Sequence, residues 1–89
     1  MEKYETYSKI HDQCGYPAML DKWIEELLEL LTILQQSKSK DINVDDLVKE
    51  VADVSIIVEQ IAHVHDLHNE VVHVRKDILK NLPNKLGLV

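Results

Sequence analysis

The chain has 89 residues, which sets one domain, residues 1–89, as the expectation. Sixteen acids against ten Lys and Arg give a net charge of -6, which argues against a nucleic-acid partner held through its phosphate backbone. It leaves open a small phosphorylated ligand, because a metal can bridge acids to phosphates. No window approaches the ~18 apolar residues of a membrane span. The start, MEKYETYSKIHDQ, has no apolar stretch of the signal-peptide kind, and Cys14 is alone, so a cytoplasmic protein without an intrachain disulfide is expected. Hydrophobic residues make up 45% of the chain, with no Phe, one Trp and three Tyr. The core must then be aliphatic, and a small aliphatic helical domain commonly completes its core by homo-oligomerising.

The elements read in order as four helices. The first covers about residues 2–13 and stops at Gly15-Tyr16-Pro17. Pro17 suits the first turn of the next helix, expected from about Ala18 to Gln36. Leu20, Ile24, Leu27, Leu31 and Leu34 form one stripe along it. Residues 37–43 are polar and read as a loop, with Asn43 as N-cap and Asp45 and Asp46 in the first turn of a third helix. That helix runs from about Val44 to His65. Its middle is apolar on nearly every side, which predicts burial. A fourth helix runs from about Leu67 or Asn69 to Leu82, ended by Pro83, with a loose tail over Asn84–Val89.

Four acids stand out. Glu26 and Glu29 are three apart, as are Glu50 and Asp53, so each pair shares one helix face. From Glu29 to the end of its helix is ~10 Å, and from the start of the third helix to Glu50 is ~9 Å. Antiparallel packing therefore sets Glu29 level with Glu50 and Glu26 level with Asp53. Four carboxylates at one helix interface need a counter-charge that Lys22 and Lys49 cannot fully supply. Hard oxygen ligands at this density suit Mg²⁺, with Mn²⁺ as a substitute. The alternative is that the acids lie on solvated faces without a metal.

The pattern Glu26-x-x-Glu29, a gap of 20 residues, then Glu50-x-x-Asp53 resembles the signature of the all-α nucleoside triphosphate pyrophosphohydrolases, in particular their MazG-like branch with its short phage-type members. The segments DKWIEELLEL and VKEVADVSIIVEQI resemble those carrying the two acid pairs in that family, and the likeness covers about residues 15–65. The resemblance implies a small four-helix bundle assembled as a homodimer or homotetramer. It implies hydrolysis of a nucleoside triphosphate to the monophosphate and pyrophosphate, by water attack at the α-phosphate. Glu26, Glu29, Glu50 and Asp53 would hold Mg²⁺, with an acid of the first pair, or Glu25, as general base. Lys22 matches a family lysine and would contact phosphate. Trp23 would stack on a base, or else belong to the core or a dimer interface. Arg75, Lys76 and Lys80, with Lys85 nearby, would stand in for the family's fourth-helix basic residues, since Ile78 and Asn81 occupy the aligned positions. Met19 stands where relatives often have Gln.

Four of the five histidines lie between residues 63 and 73. His65 and His68 have the spacing of a metal pair, and His65-Asp66 matches the dipeptide of HD phosphohydrolases, but the further ligands that family needs are missing. A polar helix end with pH-sensitive charge is the simpler reading. The other functional class to weigh is a non-catalytic helical dimerisation or regulatory module with a structural or vestigial metal site.

Overall fold

The computed structural model describes residues 2–88, and these are all-helical: α1 (Lys3–Cys14), α2 (Tyr16–Gln36), α3 (Val44–Val64) and α4 (His68–Lys85). Glu2 caps α1 by accepting from the backbone N–H of Tyr4 and Glu5. A single residue, Gly15, separates α1 from α2. Its φ of 82° lies in the left-handed region open to glycine, and its N–H closes α1 on the His11 carbonyl. Helix α2 begins at Tyr16, two residues earlier than expected, with Pro17 in its first turn. Asn43 caps α3 as expected, accepting from Asp46 N–H at 3.1 Å.

Helices α2 and α3 form an antiparallel hairpin, and α1 lies across it. The Lys3 ammonium sits 2.6 Å from Glu59 Oε1, Ser8 Oγ and His63 Nε2 are 2.9 Å apart, and the Tyr4 ring stacks on the His63 imidazole. The small core is Met19, Trp23 and Ile57, with Ile61 and Val64 against it.

The burial of α3 and the end of α4 differ from expectation. Apolar residues of α3 are not enclosed within the chain: Val51, Ile56 and Val58 are half exposed, while Glu50, Ile57, Gln60 and Ala62 are the buried ones. Likewise, the Leu20–Leu34 stripe of α2 faces outward, and the face that packs on α3 carries Met19, Trp23 and Glu26. That face lies ~100° round the helix, one residue earlier in register. The most apolar face of α2 is thus not the one its own chain covers. Finally, Pro83 does not end α4. The helix continues to Lys85 and closes through Gly87 (φ 75°), with Leu88 N–H bonded to the Pro83 carbonyl and Gly87 N–H to that of Asn84. This is the paired closure of a Schellman turn, so the Asn84–Leu88 tail is structured; Val89 falls outside the described residues.

The α3–α4 turn is built the same way. Leu67 N–H bonds to the Ala62 carbonyl and Asp66 N–H to that of His63, with Asp66 at φ 55°. Helix α4 then runs on with no buried residue. The radius of gyration is 16.0 Å, against ~12 Å for a compact chain of this length. Among the described residues, no helix is long and apolar enough to cross a membrane.

Candidate metal centre

The α2–α3 hairpin brings the acids together as the equal arms require. Glu26, Glu50 and Asp53 offer oxygens within 4.8 Å of one another, and so do Glu25, Glu26 and Glu29. The two clusters share Glu26. A Mg²⁺ ion with ligands at ~2.1 Å spans oxygens up to ~4.2 Å apart, so small side-chain adjustments fit either trio to an ion. Glu25, weighed from the sequence only as a general base, thus joins the candidate ligands. Its signal was adjacency to Glu26 within one helical turn of Glu29.

The charges are partly answered from within the chain. Lys22 Nζ lies 2.9 Å from Glu26 Oε1 and 3.7 Å from Glu25 Oε1. Lys49 Nζ lies 3.4 Å from Glu50 Oε1 and 3.3 Å from Asp53 Oδ2. Both lysines are held above their ordinary proton affinity, first by these hydrogen bonds. The second oxygens fare differently. Glu26 is 8% exposed and Glu50 7%, and Oε2 of each is buried without a hydrogen-bond partner. A buried carboxylate oxygen with no donor carries its full desolvation penalty. Glu29 holds its proton above the usual carboxylate range, first through burial and then through the charges of Glu26 and Glu50. The donor set is all carboxylate oxygen, which fits a hard divalent cation.

Two hollows flank the acids. One is a cavity of about 340 Å³ between α1, α2 and α3, walled by apolar residues and edged by Lys22, Glu26 and Asp53. The other is a more polar groove containing Glu25, Glu29, Lys49 and Glu50. Trp23 is buried, and its indole N–H donates to Gln60 Oε1 at 3.1 Å; both residues line the cavity. Trp23 is therefore a core residue and a cavity wall at once. Lys22 is engaged with Glu25 and Glu26 and also borders the cavity. Arg75 lies along α4 beside an apolar groove with Val71, Val74 and Ile78. Among the described residues, neither Arg75, Lys76 nor Lys80 is paired with any of the acids in the same chain.

The histidines serve the fold. His65 Nδ1 bonds to the Ile61 carbonyl and Nε2 takes the Tyr16 hydroxyl, while Asp66 supplies the left-handed turn residue. The His-Asp dipeptide is thereby accounted for as a helix terminus. No histidine enters either three-acid cluster.

No protein-family profile, curated protein or solved structure matches this chain.

Proposed function

We propose that the chain is a Mg²⁺-dependent nucleoside triphosphate pyrophosphohydrolase of the MazG-like kind, acting as a homo-oligomer. The observation that carries this reading is the pair of buried, donorless oxygens, Glu26 Oε2 and Glu50 Oε2, within a group of five acids drawn from two helices. Glu26, Glu29, Glu50 and Asp53 would hold the ion, with Glu25 extending the set. Mg²⁺ bound there would neutralise the triphosphate and polarise its α-phosphoryl group.

The chain's own groups supply the rest. An acid of the first pair, Glu26 or Glu29, or Glu25 beside it, would serve as the general base that takes a proton from water. Lys22 and Lys49, which now neutralise acids, become available to phosphate oxygens once a cation takes over that role. Arg75, Lys76 and Lys80, on a helix with no buried residue, would reach phosphate from a neighbouring copy. Assembly is supported by the outward leucine stripe of α2 and by the lack of any buried residue on α4.

A second reading, a non-catalytic dimerisation or regulatory module, is favoured by one observation: both acid pairs already carry a lysine. Pyrophosphate release from a panel of canonical and modified NTPs and dNTPs with Mg²⁺ separates the two. The hydrolase reading expects release that Glu50→Gln or Asp53→Asn abolishes. No release across the panel, with metal still bound, establishes the module.

A further inference from the structure

The cavity beside the acids contains one polar group outside the acid–lysine edge. Gln60 is 7% exposed, and its side-chain amide shares a largely apolar wall with Cys14, Met19, Trp23, Ile56 and Ile57. Its orientation is set. An indole N–H is a donor only, so the bond from Trp23 Nε1 at 3.1 Å requires the amide oxygen to face the tryptophan. Among the described residues the NH₂ end has no partner, and both its hydrogens are free to donate.

Gln60 follows Asp53 by seven residues, two turns along the same face of α3, which places it ~10 Å from the acids. One cavity therefore joins a cation-ready edge to a pair of fixed donors in an apolar wall. Its volume of about 340 Å³ lies within the range of small-ligand sites.

We propose that this cavity takes the nucleobase of the substrate and that Gln60, held donors-outward by Trp23, reads pyrimidine position 4 or purine position 6, selecting bases with an oxo group there (uracil, thymine, guanine) over those with an amino group there (cytosine, adenine). The inference rests on the nucleotide reading of the acid site and adds the base class to it. An oxo base accepts from the amide. An amino base turns its own donors toward the Gln60 donors and leaves both buried and unpaired, and that is the stronger source of discrimination.

Trp23 is the sole tryptophan, so its fluorescence reports occupancy of the cavity without any turnover. The probes are α,β-imido dUTP and dCTP, and the matching GTP and ATP analogues, titrated with Mg²⁺ present. Wild type is expected to bind the oxo member of each pair roughly tenfold more tightly. Gln60→Met, which keeps the shape and removes the donors, brings each ratio close to one. Gln60→Glu, which offers acceptors, turns the preference toward the amino bases. Equal binding of both members by wild type, or a preference that survives Gln60→Met, overturns the proposal, and the wild-type ratio decides even where a variant fails to fold. Selective quenching without pyrophosphate release from the ordinary triphosphates keeps the base site and removes the hydrolase. Pyrophosphate release without base selectivity does the reverse.

Discussion

The Lys22 ammonium lies 2.9 Å from Oε1 of Glu26, while Oε2 of the same carboxylate is buried with no donor. One carboxylate is thus half satisfied by its own helix and half in want of a cation. The same division recurs on α3, where Lys49 meets Glu50 Oε1 and leaves Glu50 Oε2 bare.

Removing one of these charges should therefore have opposite effects on folding and on function. Glu50→Gln is expected to raise the stability of the metal-free protein by about 1 kcal/mol, because it relieves crowded carboxylates. It should lower Mg²⁺-dependent pyrophosphate release by roughly 100-fold or more. Thermal melts in EDTA beside a pyrophosphate assay check both. A variant that is less stable without metal would show that the acids attract more than they repel.

Acidification supplies a related test. Glu29 has a native proton affinity above its ordinary 4.5, through burial first and then Glu26 and Glu50. A group raised on folding contributes stability that is fully present below 4.5 and is lost as pH rises through the native value. In EDTA, the melting temperature should accordingly gain from Glu29 as pH falls through its raised native value toward 4.5. With Mg²⁺ the trend should reverse, because protons and cation compete for the same oxygens. Glu29→Gln should remove the EDTA gain. Scanning fluorimetry across that window, with and without metal, is the measurement.

Two turns make local predictions. Gly15 has φ 82°, and an added Cβ would meet nothing nearer than Pro17 Cδ at 4.0 Å. Gly15→Ala should thus cost about 1–2 kcal/mol of backbone strain without a clash. Asp66 closes α3 with a positive φ of 55° and a side chain present. Asp66→Gly should stabilise by up to about 1 kcal/mol. Chemical denaturation of the two variants should move the midpoint in opposite directions.

Self-association can be probed on the outer face of α2. Ile24 is 55% exposed in the single chain. In an isolated monomer, Ile24→Glu would change stability by no more than about 0.5 kcal/mol. In an assembly that covers this stripe it should dissociate the particles and lower the melting temperature. Sedimentation at several concentrations distinguishes the two; an unchanged sedimentation coefficient places the interface elsewhere.

Much of the fold was legible because helices advertise their ends. Asn43 with Asp45 and Asp46, and Gly15 with Pro17, fixed two boundaries through capping and φ preference. The acid cluster was legible for a similar reason: equal arms on either side of a short loop leave antiparallel helices little choice of register. Pro83 misled because a proline near a helix end forfeits a bond that an exposed terminus can spare, and Gly87 was the true stop. The burial of α3 was misread because an apolar face says that it is to be covered without saying by which chain. Gln60 carried no signal in the sequence, since its role depends on Trp23, 37 positions away.

Helix α4 has 18 residues and none buried. It is tied to the rest mainly through the turn at Asp66, so opening it exposes little apolar surface that is not already wet. In a free protomer its amides should exchange with solvent far sooner than those of α2 and α3, and trypsin should find Arg75, Lys76 and Lys80 before any site in the hairpin. Deuterium uptake along α4 then becomes a gauge of company: fast in a solitary chain, slow wherever a neighbour lies against Val71, Val74 and Ile78.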